Sequence, residues 1–183
     1  MIIWITGCKG VGKSSLVKNL FPNMRKHGRI PKTMETDKFV MVGDYSENHY
    51  VYGWDNYLSK TNEFLYSYIK DLQKEDKIIV CDGVDIPTVN ILSKIKDNHI
   101  LILLDSDVDS VMERIVKRNR YVKLPDERTK KWANSLIDSK RTLLERVRAL
   151  GLAKTLKVKV NLYPEDEVAN IMRKKLSGVG VNI

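Results

Sequence analysis

Gly7-Cys8-Lys9-Gly10-Val11-Gly12-Lys13-Ser14 spells G-x-x-x-x-G-K-S and follows directly on the apolar run Ile2-Ile3-Trp4-Ile5-Thr6. A glycine-rich turn between a strand and a helix aims consecutive backbone N–H groups inward, and the positive end of the helix dipole adds to their field. The pattern is a phosphate cradle. Its spacing assigns Gly7, Cys8, Lys9, Gly10, Val11, Gly12, Lys13, Ser14 and Ser15 to a nucleoside triphosphate, with ATP the expected one. Lys13 reaches the β- and γ-phosphates, and the Ser14 hydroxyl serves Mg²⁺. A second oxygen for the metal comes from Asp82, the acid that ends the apolar run Ile78–Cys81. A carboxylate at the end of a buried strand holds Mg²⁺ directly or through water. The same acid before Gly83 also reads as a simple turn former.

Moving a phosphoryl group needs an acceptor-side base and positive charge on the equatorial oxygens. Asp44 and Asp55 bracket a polar, aromatic-rich connection, and either can accept a hydroxyl proton. Bridging the turn remains open for Asp44, and helix capping for Asp55. Tyr45, Tyr50, Tyr52 and Trp54 crowd the same ten residues, enough rings to stack a nucleobase or to pack a core. Arg114, Arg118 and Arg120 supply the positive charge. They stand in a basic segment of about 114–125 that ends at Pro125 and has the layout of a closing lid, which excludes water as it shuts. A solvated helix end is the plainer alternative.

These residues need a scaffold. Short apolar runs at Ile2–Ile5, Phe39–Val42, Ile78–Cys81 and Ile100–Leu104 read as buried parallel strands, with Thr155–Val160 a fifth. Helical patterns alternate with them: Ser15–Phe21 stopped by Pro22, about Asp55–Lys74, about Thr88–Asp97, one capped by Asp105-Ser106-Asp107, about Asp126–Leu150, and one opened by Pro164. The order predicts a three-layer α/β/α fold with a five-stranded, mainly parallel sheet and a helical lid. Asn23–Lys38 reads as an irregular basic loop. The 183 residues suit one domain. No apolar stretch approaches 18 residues and the first is too short for a signal peptide, so no membrane partner and a cytoplasmic, soluble location are expected.

Charge is unevenly spread. Residues 113–159 hold 15 Lys/Arg against 5 Asp/Glu, a net of +10, while the whole chain carries +9. A nucleotide needs only two or three cations, so the surplus fits either a polyanion-binding surface or a solvated helix face. Cys8 and Cys81 form no disulfide framework. Cys8 is either reactive beside a helix N-terminus or a permissive loop position. His27, His49 and His99 match no metal spacing.

Taken together, Gly7–Ser15, Asp82 and the arginines of 114–123 resemble the nucleoside-monophosphate-kinase-like branch of P-loop proteins. A narrower likeness lies in Val42-Gly43-Asp44-Tyr45, Gly53-Trp54-Asp55 and Leu58-Ser59. This G-x-Y…G-x-D…L-S pattern is similar to bacteriophage 5-hydroxymethyluracil DNA kinases. That resemblance implies an ATP- and Mg²⁺-dependent kinase acting on a hydroxymethylated pyrimidine in DNA, in the host cytoplasm. Asp44, Tyr45, Tyr52 and Trp54 are the residues expected to face the substrate. The chain departs from the pattern at Asp44 and by one extra residue between Asp55 and Leu58-Ser59, which favours Asp55 as the base. Asp82-Gly83-Val84 replaces the D-R-Y/H signature of thymidylate kinases. A kinase of a free deoxynucleoside or its monophosphate is the alternative, and a non-transferring NTPase switch a more distant one. An N-K-x-D guanine motif is absent.

Overall fold

The apolar runs become the five parallel strands of one sheet, and the helical patterns between them cover both its faces. The computed structural model describes residues 1–27, 32–43, 45, 62–118 and 127–183. In chain order the elements are β1 (Ile2–Thr6), α1 (Lys13–Leu20), β2 (Arg25–His27), β3 (Thr33–Glu35), β4 (Phe39–Val42), α2 (Asn62–Leu72) and β5 (Ile78–Asp82). They continue with α3 (Val89–Lys94), β6 (His99–Asp105), α4 (Val108–Arg118), α5 (Glu127–Ala149), β7 (Lys154–Lys159) and α6 (Glu165–Ser177). Strand order is β2-β3-β4-β5-β1-β6-β7.

The sheet therefore has seven strands where the sequence predicts five. The extra pair, β2 and β3, lies in the stretch expected to be an irregular basic loop and adds antiparallel to β4, with Arg25 opposite Glu35 and Thr33 opposite Val42. Each is three residues long. Arg-Lys-His and Thr-Met-Glu are too short and too polar to show a period of two, and such short charged strands are a common way to end a sheet.

Alternation along β1 divides the core. Ile3 and Ile5 pack with Leu16, Val17 and Met172 under α1 and α6. Ile2 and Trp4 pack with Leu65, Ile69, Ile91 and Leu144 under α2, α3 and α5. Successive strand side chains point to opposite faces, so one run feeds both layers. Trp4 Nε1 donates to His99 Nδ1 at 3.1 Å, and the other His99 ring nitrogen lies 2.7 Å from the Ile95 carbonyl oxygen. His99 thus serves the core. Among the described residues no helix is long and apolar enough to cross a membrane.

Only Asp107 caps α4, accepting from the Ser110 amide at 2.7 Å. Asp105 is buried and tied instead to two other elements, through Arg141 Nε at 2.7 Å and Lys157 Nζ at 3.0 Å. Burial raises its carboxyl pKa, but the hydrogen bonds and charges of Arg141 and Lys157 outweigh that and hold it below the usual range. Asp105→Asn is expected to cost about 2 kcal/mol at neutral pH. Because the folded carboxyl is the stronger acid, its contribution is present above the ordinary carboxylate value near 4 and is lost as pH falls through and below it. Urea titrations of wild type and variant should converge as the pH is lowered below that value.

Candidate active site

Parallel pairing of β1 with β5 sets Ile5 beside Asp82. This register carries the phosphate loop that leaves β1 alongside the acid that ends β5, at the carboxyl edge of the sheet where ligands bind in open α/β folds. Ser14 Oγ donates to Asp82 Oδ2 at 3.2 Å across 68 residues of chain. The Tyr45 hydroxyl donates to the other carboxylate oxygen, Oδ1. Asp82 is 1 % exposed and Tyr45 2 %.

The loop itself is shaped by glycines that nothing larger can replace. Gly12 caps α1 in the left-handed region, φ 102°, with no side-chain hydrogen bond to the first turn. A Cβ on Gly7, φ 153°, would stand 2.7 Å from the Leu104 carbonyl oxygen. No acid sits in the first turn of α1, whereas α6 opens with Glu165, Asp166 and Glu167. The positive end of α1 is thus left for an external anion. Lys13 is buried and folds back over the loop, Nζ donating to the Gly7 and Cys8 carbonyls at 3.2 and 3.3 Å.

Two expected site residues take other positions. Tyr45 was expected to offer its ring to a base, but it lies in the core with Met34 and Phe39, leaving only its hydroxyl at the site. Arg114 reaches the loop without facing outward. Its guanidinium donates to the Val11 carbonyl at 2.9 Å and to the Val160 carbonyl at 3.0 Å, binding the loop to the end of β7. A planar fork with several donors suits two carbonyls from different segments. Arg118 is the last residue of α4. Asp44, Tyr50, Tyr52, Trp54, Asp55 and Arg120 lie outside the described residues.

Cys8 is buried against Val111, Met112, Ala133 and Ile137. Burial raises its thiol pKa in spite of the nearby Lys13 charge, so packing rather than reactivity describes it. Burial and the Asp82 charge push Cys81 up as well.

One residue of this region escaped the sequence reading. The core-facing stripe of α5 runs Ala133, Ile137, Lys140, Leu144, Val147, and Lys140 in its middle is 8 % exposed. Its charge is felt at Cys8, and it lines a groove of about 460 Å³ with Asp85, Thr88 and Arg146. The signal was a lysine at a core position of the helical period, hidden because it counted only as part of a basic segment.

The donor set at Ser14 and Asp82 is one hydroxyl and one carboxylate, both hard oxygens. That suits Mg²⁺, which keeps most of its waters and takes its other ligands from phosphates. Among the described residues no group of three or more His, Cys, Asp or Glu side chains could hold a metal by itself. Beside Gly12 a small cleft opens between Arg114, Val160 and the half-exposed Tyr163.

Among solved structures the chain is similar to shikimate kinase from Acinetobacter baumannii in complex with shikimate, with a TM-score of 0.53 and 14% identity over 97% of this chain and 93% of that one. It is likewise similar to shikimate kinase from Aquifex aeolicus, at TM-score 0.53 and 17% identity over 99% and 100% of the two chains. Deoxyadenosine kinase from M. mycoides with bound dCTP gives TM-score 0.52 and 17% identity over 97% and 100%. The fold is that of the P-loop kinases. No protein-family model matches the sequence, and no curated protein matches it. Within this fold the loop after β1 and the acid after β5 converge on one edge of the sheet.

Proposed function

We propose that the chain is an ATP-dependent phosphotransferase whose acceptor is a hydroxyl on a pyrimidine, the 5-hydroxymethyl group of 5-hydroxymethyluracil in DNA. The convergence of Lys13, Ser14 and Asp82 at the uncapped start of α1 carries the donor half. The G-x-Y…G-x-D…L-S pattern and the basic residues of 113–159 support the acceptor half.

In this reading the acceptor oxygen forms a bond to the γ-phosphorus while the bond from phosphorus to the β,γ-bridging oxygen breaks, and ADP leaves. The hydroxyl proton passes to a carboxylate, for which the sequence offers Asp55 and Asp44. Amides of the loop and Lys13 hold the β- and γ-phosphates. Mg²⁺, held at Ser14 and Asp82, supplies charge neutralisation on the phosphate oxygens. Arg114 fixes the loop, and the sequence offers Arg118 and Arg120 as the cations for the transferring phosphate. An acceptor base buried in a duplex is flipped out to reach it.

The similarity in fold to a deoxyadenosine kinase favours one second reading, a free deoxynucleoside or its monophosphate as acceptor. Incubation with γ-labelled ATP and three acceptors separates the two: hydroxymethyluracil-containing DNA, unmodified DNA, and free pyrimidine nucleosides and nucleotides. Label on the modified DNA alone is expected. Label on free acceptors alone would overturn the DNA assignment, and release of phosphate with no labelled acceptor would overturn the kinase.

A further inference from the structure

The basic surplus of the chain is sorted by α5 into two kinds. Along its flank the cations are neutralised within the fold: Lys130 pairs with Asp109, Arg141 with Asp105 and Asp138, and Arg148 with Glu145. The pole of the helix that faces away from the core is different. At 100° per residue, Arg128, Lys131, Trp132, Ser135, Ser139, Thr142 and Arg146 fall on one outward stripe opposite Ala133, Ile137, Leu144 and Val147, and all seven are exposed. The acids of the helix, Glu127, Asp138 and Glu145, lie to one side of it. Among the described residues Arg128, Lys131 and Arg146 form no ion pair, and Trp132 makes no ring contact although its indole is 49 % exposed.

A helix that satisfies its flanking cations and leaves three exposed on one stripe, two at its N-terminal end and one towards its C-terminal end with hydroxyls between them, presents anchor points for a polyanionic chain. From Arg128 to Arg146 the stripe covers 18 residues, about 27 Å at the helical rise. Its C-terminal half, through Ser139, Thr142 and Arg146, lines the groove that Lys140 shares, and the N-terminal half of α5 packs on the phosphate loop, Ala133 against Cys8. The exposed indole beside Lys131 adds a stacking surface, which inorganic polyanions cannot use and an unpaired base can.

We infer that the outward stripe of α5 is a docking surface for a DNA strand, its phosphates on Arg128, Lys131 and Arg146 and an unpaired base on Trp132. This rests on the DNA-acceptor reading and names the surface that holds that substrate. Phosphates bound by cations release counterions, so affinity falls with salt in proportion to the contacts made.

The test is fluorescence anisotropy of a labelled single-stranded 20-mer between 50 and 200 mM salt, without ATP. The triple variant Arg128→Ala/Lys131→Ala/Arg146→Ala should bind at least tenfold more weakly, with the slope of log K against log salt shallower by about 2. Trp132→Ala should weaken binding by about tenfold at unchanged slope. Wild-type affinity and slope in the triple variant would overturn the surface. Unchanged binding in Trp132→Ala, together with equal competition by heparin, would overturn DNA as its occupant. The phosphoryl-transfer reading fails separately: a wild-type protein that binds the strand through this stripe yet labels no hydroxymethyluracil leaves the surface standing. Conversely, labelling of that DNA by the triple variant at the wild-type rate removes the surface and leaves the kinase.

Discussion

Lys13→Ala is expected to lower kcat/KM by about 10³-fold, about 4 kcal/mol of transition-state stabilisation, while the protein stays folded. The side chain is buried, so its ammonium acts in a region where water screens it weakly. Without phosphates it donates to the Gly7 and Cys8 carbonyls, which are part of the loop it must later serve. Those two bonds keep the cation beside the cradle and avoid the cost of an unpaired buried charge. Alanine removes both bonds and the charge, and the stability loss should stay near 1 kcal/mol because the loop carbonyls can turn to solvent. Steady-state kinetics with each nucleotide and a thermal melt provide the two readings. A variant that melts like wild type and keeps its kcat would remove Lys13 from the chemistry.

Asp82→Asn should cost about 10²-fold in kcat and should abolish the Mg²⁺-dependent part of nucleotide binding. Both carboxylate oxygens are already oriented, one by Ser14 and one by Tyr45, so the group is held without freedom to search for a metal. An amide keeps the shape but loses the charge that a hard divalent cation requires. Tyr45→Phe keeps the buried ring and removes only the hydroxyl, so it should raise the Mg²⁺ concentration for half-maximal binding several-fold with little change in stability. Titrating Mg²⁺ against a fluorescent nucleotide analogue reads this directly, apart from turnover. If Asp82→Asn left both Mg²⁺ dependence and kcat intact, Asp82 would be no more than the turn former before Gly83.

Much of this architecture was legible beforehand because it depends on short-range patterns. Phe39–Val42 is a strand over the expected residues, and the expected Ile78–Cys81 extends by one to Asp82. Helix limits follow from local chemistry as well: Thr88 accepts from the Ile91 amide at the start of α3, and acids crowd the first turn of α6. The short strands β2 and β3 could not be read, since three residues have no measurable period and β3 pairs where β4 offers an edge.

The sequence by itself determined the phosphate loop, because its glycines, its lysine and its flanking strand and helix are contiguous and act through backbone geometry. It also determined which faces of the strands and helices are apolar. Lateral order was decided by the tertiary structure alone. Periodicity reports whether a residue points inward, never which strand lies beside it, so only the β1–β5 pairing brought Asp82 to Ser14. The same packing drew the Tyr45 ring into the core and its hydroxyl onto Asp82, and turned Arg114 onto two carbonyls. It also separated the basic residues of α5 into those that acids of the fold neutralise and those that face outward.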